Sequence, residues 1–188
     1  MRIITGIAKG MKLKTLEGDD VTRPTAERVK EAVFSMINFD LDGARVLDLF
    51  GGSGQLALEA LSRGAANAVI SDSDKGAIEI IKANVAKTKF EDKARVIMSD
   101  YKGLVKSLAS KDKFDIVFLD PPYAEKIIPD AIDRLVRADM LAPAALIICE
   151  SDEKEPITRD GMTVKRFAKY GRVYITLLQN GKNTDISD

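Results

Sequence analysis

The sequence contains no histidine and a single cysteine, Cys149. Zinc sites, histidine metal centres, Ser-His-Asp triads and Cys-His nucleophile pairs are therefore excluded or disfavoured, and we expect no metal site. Any catalysis must use carboxylates, backbone groups, Tyr, Lys, Arg or a cofactor. A lone cysteine cannot form an internal disulfide, and residues 1–6 lack an apolar signal region, so we expect a cytoplasmic protein.

Long hydrophobic runs and net charge are also missing. The longest apolar run, residues 141–149, contains Pro143 and is far shorter than the roughly 20 residues that span a bilayer. The formal net charge is zero, which gives no global sign of a nucleic-acid partner. The first sixteen residues nevertheless carry four cations and no acid: Arg2, Lys9, Lys12 and Lys14. They form either a local basic patch or a hairpin edge protected by lysines.

Short apolar runs rich in β-branched residues alternate with amphipathic stretches from about residue 45 onward. This alternation predicts an α/β fold with a mostly parallel, doubly wound sheet. The predicted strands are 45–49, 68–71, 95–98, 115–119 and 144–149, and the predicted helices are 55–63, 75–87, 102–110 and 126–137. Residues 163–168 and 173–178 flank a short turn and predict an antiparallel C-terminal hairpin.

The chain divides into three parts by composition. Residues 1–44 predict an N-terminal extension in which 2–7 and 12–16 form a β-hairpin, followed by a helix from about 26 to 38. Residues 45–180 form the main α/β domain. Residues 181–188 are a polar tail.

A glycine-rich turn follows the first predicted strand of the α/β domain. Glycines allow a tight turn and close ligand approach, and the helix that follows offers free N–H groups, which is typical of a nucleotide-type site. The cofactor candidates are Asp48, Phe50, Gly51, Gly52, Ser53 and Gly54. Residues 52–57 also fit the G-x-G-x-x-A pattern of NAD sites. Asp48 favours S-adenosylmethionine, since a carboxylate can bond an ammonium group but repels a diphosphate. A plain βα turn is the third reading.

Aspartates also stand at the ends of the next two predicted strands. Asp72 lies 18 positions after Gly54, with Ser73 beside it, where a carboxylate accepts bonds from ribose hydroxyls. Asp74 competes for this role and alternatively caps the following helix. Asp100, with Ser99 beside it, is placed to bond an adenine amino group. Together they extend the predicted cofactor site along the carboxyl edge of the sheet.

The fourth strand runs into Asp120-Pro121-Pro122-Tyr123. Each proline disfavours the α region for the residue before it, so Asp120 and Pro121 are held extended with unpaired acceptors. The Asp120 carboxylate and the Pro121 carbonyl can bond both hydrogens of an exocyclic amino group and expose its lone pair to a methyl donor. Tyr123 offers a face for base stacking, worth roughly 1–3 kcal/mol. The alternative is a proline-rich strand terminator.

These residues resemble the RsmD-type family of bacterial guanine-N2 methyltransferases of small-subunit ribosomal RNA, over residues 1 to about 179. The motifs that carry the resemblance are Met1-Arg2-Ile3-Ile4 with Gly6, Arg23-Pro24-Thr25, residues 28–34, 47–54, 58–64 and 118–123, and Tyr170-Gly171. The family usually has Glu where Asp72 stands and commonly has Ala where Gly51 or Gly52 stands. Glu150 also matches a family position, but we assign it no role.

The resemblance implies a seven-stranded, Rossmann-like methyltransferase fold with S-adenosylmethionine as cofactor, and an N-terminal hairpin that helps to hold RNA. The implied substrate is one guanine in a 30S particle or assembly intermediate, and zero net charge favours such a protein-containing particle over naked RNA. The predicted substrate contacts are Arg2, Lys9, Arg23, Thr25, Arg28, Pro122 and Tyr123. We expect Arg23 and Arg28 to contact either RNA phosphates or the cofactor side of the site, and for Arg28 a surface salt bridge to Glu27 or Glu31 is an equal alternative.

Three other functions remain open from the sequence. DNA adenine-N6 methyltransferases share the Asp-Pro-Pro-Tyr motif, but they usually need a target-recognition insertion that this chain lacks. An NAD-dependent oxidoreductase would need a substrate acid or base later in the chain, and the absence of histidine disfavours it. A non-catalytic RNA-binding module is the third.

Overall fold

A computed structural model describes residues 1–15, 24–108, 112–122 and 126–181 of the chain. Its strands are β1 (Arg45–Asp48), β2 (Asn67–Asp72), β3 (Ala94–Met98), β4 (Phe114–Leu119), β5 (Leu141–Ser151), β6 (Met162–Tyr170) and β7 (Val173–Asn180). Its helices are α1 (Pro24–Met36), α2 (Gln55–Ser62), α3 (Lys75–Thr88), α4 (Tyr101–Ser107) and α5 (Ile128–Arg137), with a short 3-10 turn at Asn38–Asp40. Within these ranges no helix has the length and apolar character needed to cross a membrane.

The seven strands form one sheet in the order β3-β2-β1-β4-β5-β7-β6. Strands β1 to β5 are parallel, while β7 is antiparallel to both β5 and β6. The predicted α/β class, the parallel core and the antiparallel C-terminal hairpin are confirmed. Strand order reverses at β1, which pairs with β2 on one side and β4 on the other, and open α/β sheets bind ligands at such a switch point.

Alternate residues of each strand face opposite layers of the molecule. On one face, Ile116 and Phe118 of β4 and Ile148 of β5 join a core with the N-terminal residues, α1, α2 and α3. On the other face, Val117 and Leu119 join a core with α4 and α5. The N-terminal residues thus share a continuous core with the α/β domain.

The N-terminal hairpin is much shorter than predicted, which corrects the strands expected at 2–7 and 12–16. Its ladder is reduced to one antiparallel bridge, Arg2 with Lys12, and to flanking bonds such as Ile3 N–H to the Met11 carbonyl at 2.9 Å. The physical reason is that backbone N–H groups of the N-terminal residues donate hydrogen bonds to α2, so they are not available for the ladder of a longer hairpin. Helix α1 begins at Pro24, two residues before its predicted start, and ends at Met36. Residues 16–23 and the tail from 182 onward lie outside the described residues.

Two buried side chains of α2 hold the N-terminal segment. The Glu59 carboxylate accepts the N–H groups of Ile4 at 2.7 Å and Thr5 at 3.0 Å. It also pairs with Lys30 at 3.4 Å and Arg63 at 2.8 Å. Glu59 is 0% exposed, so this charge is tolerated only because cations and amide donors surround it.

Ser62 completes the attachment from the next turn of α2. Its hydroxyl accepts the Ala8 N–H at 3.0 Å and donates to the Thr5 carbonyl at 2.6 Å. Gly6 packs directly against the backbone of Ser62. A Cβ added to Gly6 would lie 1.7 Å from the Ser62 carbonyl oxygen, and Gly6 has a φ of +88°. Only glycine fits at this position.

We expect Glu59→Gln to lower the free energy of unfolding by about 3–5 kcal/mol, because one amide nitrogen would face N–H and ammonium donors inside the protein. Urea denaturation followed by circular dichroism measures the change. Glu31→Gln on the exposed face of α1 is the matched control, and we expect it to stay within about 0.5 kcal/mol of the parent. Equal stability of the two variants would contradict the assigned network.

Candidate active site

The glycine-rich turn between β1 and α2 is shaped by its neighbours in the sheet. Gly51 N–H donates to the Ser71 carbonyl at 2.7 Å, and a Cβ on Gly51 would lie 2.7 Å from the side chain of Ile70. Gly52 and Gly54 have φ angles of +54° and +76°, in the region that favours glycine. The space above Gly52 is open to at least 4 Å. The turn therefore offers backbone atoms to a ligand without side-chain obstruction.

Asp48 ends β1 directly beneath this turn and is 1% exposed. Its Oδ1 atom has no hydrogen-bond partner within the described part of the chain. Burial raises the pKa of Asp48 from 3.8 to about 7, although the backbone amides of Phe50 and Ala57 lower it. A buried carboxylate oxygen that lacks a partner is suited to a cationic ligand group such as an ammonium.

Asp72 and Asp74 take different roles at the end of β2. Asp72 is partly exposed, and its two oxygens accept the N–H groups of Gly52 and Asp74, each at 2.9 Å. Asp74 caps α3 by accepting the Ala77 N–H at 2.8 Å. The capping alternative for Asp74 is therefore observed, and Asp72 is the carboxylate that lies against the glycine-rich turn. Ser73 between them is exposed.

The remaining predicted cofactor residues lie around the same edge. Asp100 is exposed and caps α4 by accepting the Gly103 N–H at 2.6 Å, so one of its oxygens already has a structural partner. Ser99 donates to the Asp100 carbonyl at 3.0 Å. The rings of Phe50 and Tyr101 lie 5.9 Å apart and form an aromatic wall.

Sequence reasoning missed Asn84, because a lone polar residue on a helix gives no signal of its partners. Asn84 on α3 is fully buried and donates to the Ser53 carbonyl at 2.8 Å and the Lys14 carbonyl at 2.9 Å. Its Oδ1 accepts the Lys14 N–H at 2.8 Å. It thus ties the N-terminal segment to the glycine-rich turn.

Asp120 follows β4 at the switch point. Because Asp48 pairs with Phe118 across β1 and β4, Asp120 lies close beyond the end of β1. Burial raises the pKa of Asp120 well above 3.8, and the charges of Glu150 and Asp48 raise it further. Pro121 is buried and Pro122 is exposed, whereas the predicted stacking residue Tyr123 lies outside the described residues.

A cavity of about 420 Å³ opens beside Asp120, on the face of the sheet covered by α1, and we call it the β4–β5 cavity. Its wall includes Val29 and Val33 of α1, Gln55, Glu150 and Arg172. Glu150, which had no role from the sequence, is therefore part of the site. The sequence signal for this position is the alternation of side chains along a β-strand, which places Glu150 on the same face as Ile148.

The predicted RNA contacts of the N-terminal part are only partly described. Arg2 is exposed and pairs with Glu27 at 3.3 Å, and Lys9 is exposed. Arg28 is exposed, and across the described ranges it makes no salt bridge to Glu27 or Glu31. Arg23 and the side chain of Thr25 lie outside the described residues.

The β6–β7 hairpin is a further basic surface that sequence reasoning left unused. Residues 161–181 contain four cations and no acid. All four cationic side chains are exposed: Lys165, Arg166, Lys169 and Arg172. The turn of this hairpin, including Tyr170 and Gly171, borders the β4–β5 cavity. A basic surface therefore adjoins a cavity whose floor carries carboxylates.

The residues around the glycine-rich turn fit S-adenosylmethionine. The unpartnered Oδ1 of Asp48 matches its ammonium, the open space over Gly52 admits its methionine part, and the partly exposed Asp72 carboxylate can accept from ribose. No cluster of His, Cys, Asp or Glu in the described part of the chain could hold a metal ion. The fold and this site define a methyltransferase whose glycine-rich turn suits S-adenosylmethionine.

The family described as Conserved hypothetical protein 95 matches residues 1–179, and the chain belongs to this family. Ribosomal RNA small subunit methyltransferase D of Haemophilus influenzae is 35% identical over 182 residues, covering 96% of this chain and 94% of the relative. The protein of the same name from Escherichia coli is 37% identical over 153 residues, covering 81% and 75%. The solved structure of the Escherichia coli protein yhhF has a TM-score of 0.84 at 34% identity, covering 96% of this chain and 98% of that one.

We expect Asp48→Asn to stabilise the ligand-free protein at pH 8 by up to about 4 kcal/mol, because a pKa raised from 3.8 to about 7 disfavours the native state once Asp48 ionises. The native state binds the Asp48 proton more tightly than the unfolded state does. The free energy of unfolding of the wild type therefore falls as pH rises from about 4 to about 7. The stabilisation of Asp48→Asn relative to the wild type should therefore nearly vanish at pH 4.

Urea denaturation at pH 4 and pH 8 measures this difference, and calorimetry should show at least about tenfold weaker binding of S-adenosylmethionine by Asp48→Asn. Asp42→Asn, an exposed control, should change neither quantity. A stabilised variant that binds the cofactor normally would show that Asp48 is not the ammonium partner.

Proposed function

We propose that this protein transfers the methyl group of S-adenosylmethionine to the exocyclic N2 of a guanine in small-subunit ribosomal RNA. The observation that carries the proposal is the position of Asp120, a carboxylate at the switch point between the cofactor turn and the β4–β5 cavity. Relatives named ribosomal RNA small subunit methyltransferase D support ribosomal RNA as the substrate. They do not favour an oxidoreductase or a DNA methyltransferase.

Asp120 and the Pro121 carbonyl orient the amino group for the reaction. By accepting its two hydrogens, they withdraw its lone pair from conjugation with the purine ring and aim it at the methyl donor. S-adenosylmethionine supplies an electrophilic methyl group when it is bound. Positioning of this kind can contribute about 7–11 kcal/mol toward the barrier, so no nucleophilic side chain is required.

The proton released from the amino group has a nearby acceptor. The raised pKa of Asp120 makes its carboxylate a stronger base than an exposed aspartate, which suits it to take that proton. The charges of Asp48 and Glu150 that raise this pKa also repel a second anion, so the site disfavours phosphate groups at its floor. The floor therefore suits the donor-rich edge of a base.

Basic residues at the rim suit the RNA backbone. We propose that Arg2, Lys9, Arg23, Thr25 and Arg28 of the N-terminal part contact the RNA and that Pro122 and Tyr123 contact the base. The β6–β7 hairpin adds four exposed cations, Lys165, Arg166, Lys169 and Arg172, of which Arg172 lines the cavity. Such contacts position the RNA without reading its sequence. The zero net charge of the whole chain limits non-specific affinity, which favours a 30S particle or assembly intermediate.

Mass spectrometry of nucleosides tests the proposal after the protein is incubated with S-adenosylmethionine and unmethylated 30S particles, naked ribosomal RNA or DNA. We expect N2-methylguanosine in the particles and less in naked RNA. Methylated adenine in DNA would instead support the adenine-N6 alternative. Binding of NAD without binding of S-adenosylmethionine would overturn the assignment to methyl transfer.

We expect Asp120→Ala to lower the rate of methyl transfer at saturating cofactor by at least about 100-fold, because it removes a transition-state contact. Asp120→Asn keeps one acceptor oxygen but cannot titrate. In the wild type, activity should fall as pH drops through the raised pKa of Asp120, because protonation removes the acceptor. Single-turnover rates across pH measure this, and the acidic decline should disappear in Asp120→Asn. An unchanged acidic decline in that variant would assign the titration to another group.

A further inference from the structure

The β4–β5 cavity lies beside Asp120 and is lined from strands β4, β5 and β7 and from helices α1 and α2. In the sheet order, β3, β2 and β1 carry the glycine-rich turn, Asp72 and Asp100, and Gln55 and Leu56 of α2, which follow that turn, line the cavity. Its volume of about 420 Å³ falls within the range of small-molecule sites, about 300–1,000 Å³. Its wall combines apolar side chains, Val29, Val33 and Ile148 among them, with the cations Lys30 and Arg172. This environment suits a flat, mostly apolar ring with a few polar edge groups.

Strand register places a second carboxylate beside Asp120. Leu119 of β4 pairs with Cys149 of β5, so the next residues along the two parallel strands are Asp120 and Glu150. Both line the cavity. The charge of Glu150 also raises the pKa of Asp120, which agrees with their proximity. Two acceptor groups therefore lie next to each other on the floor.

Gln55, at the start of α2, borders the same cavity. Its Oε1 atom is buried and has no hydrogen-bond partner within the described residues. A buried polar atom without a partner costs about 1–3 kcal/mol, so a ligand that offers a polar group at this position would recover that cost. The cavity thus combines apolar side chains with one buried amide oxygen, Gln55 Oε1, that has no hydrogen-bond partner within the described residues.

The two carboxylates distinguish between the purines. Guanine presents two adjacent sets of donors on its Watson–Crick edge, N1–H and the N2 amino group. Adenine presents its N6 amino group next to N1, which is an acceptor and would face a carboxylate lone pair. A flipped base is read by hydrogen bonds to this edge. When Asp120 takes the amino group, the neighbouring carboxylate favours a base with N1–H.

We propose that the β4–β5 cavity binds the target guanine and that Glu150 accepts a hydrogen bond from its N1–H, which makes Glu150 a determinant of guanine specificity. This inference rests on the proposed function and adds a recognition residue to it. In this proposal Gln55, which lines the same cavity, contacts the same base. Glu150 is thus placed to discriminate between bases, whereas Asp120 orients the reacting nitrogen.

Three variants test Glu150 in the full-length protein. Glu150→Ala removes the acceptor, Glu150→Gln keeps an acceptor oxygen without the charge, and Asp152→Asn is the matched control, since Asp152 is an exposed acid two residues further on that does not line the cavity. Methyl transfer is measured with unmethylated 30S particles, and S-adenosylmethionine affinity is measured by calorimetry. We expect Glu150→Ala to lose at least about tenfold in kcat/KM, Glu150→Gln to lose less, and Asp152→Asn to match the parent. Cofactor affinity should stay within about threefold in all three.

The pH profile separates recognition from a merely electrostatic role. If Glu150 acted only by raising the pKa of Asp120, its removal would ease ionisation of Asp120, and Glu150→Ala would be as active as the parent or more active at acidic pH. Recognition predicts a loss at every pH. Equal kcat/KM of Glu150→Ala and wild type would overturn the inference while leaving the proposed function in place. Absence of methyl transfer by the wild type would reject the proposed function itself.

Discussion

The parallel pairing of β1 with β4 is the constraint on which the site depends. It sets the carboxyl end of the cofactor-binding strand against the strand that ends in Asp120. The next pairing, β4 with β5, brings Glu150 to the same edge. Three carboxylates that are far apart in the chain, Asp48, Asp120 and Glu150, thereby lie near one another at the carboxyl edge of the sheet, where the proposed methyl donor and amino group meet.

This concentration of carboxylates has an electrostatic cost that the rest of the fold must offset. Burial raises the pKa of Asp48 and of Asp120, and each charge disfavours ionisation of the other. Two aliphatic cores, one on each face of the sheet, supply the compensating stability. The cost agrees with the proposed function, since carboxylates at this edge of the sheet complement the ammonium of the proposed cofactor and the donors of the proposed guanine.

The N-terminal segment is bound to the same framework through two buried polar residues. Glu59 on α2 takes the backbone N–H groups of Ile4 and Thr5, and Asn84 on α3 joins Lys14 to the carbonyl of Ser53. The proposed RNA-contacting cations are therefore held in a defined position relative to the cofactor turn. A change in this segment is expected to affect both RNA binding and the glycine-rich turn, because they share a rigid support.

Local signals allowed much of the fold and part of the site to be predicted. Strand and helix periodicity located the parallel core and the C-terminal hairpin, and the glycine-rich turn pointed to Asp48 and Asp72. Prediction failed where long-range contacts decide. The N-terminal strands were wrong because Glu59 and Ser62, more than fifty residues away, take their backbone groups. The choice between Asp72 and Asp74 likewise needed the observed bond from Asp74 to Ala77.

The sequence by itself determined the fold class, the position of the cofactor turn and the rigid Asp120-Pro121 acceptor pair, because these follow from local periodicity, glycine freedom and the restrictions of proline. Only the tertiary structure decided that Glu150 lies beside Asp120 and that a cavity opens there. Those features depend on strand order and register, which arise from the packing of the whole sheet, whereas the residues on either side of Glu150 indicate only that it shares a face with Ile148.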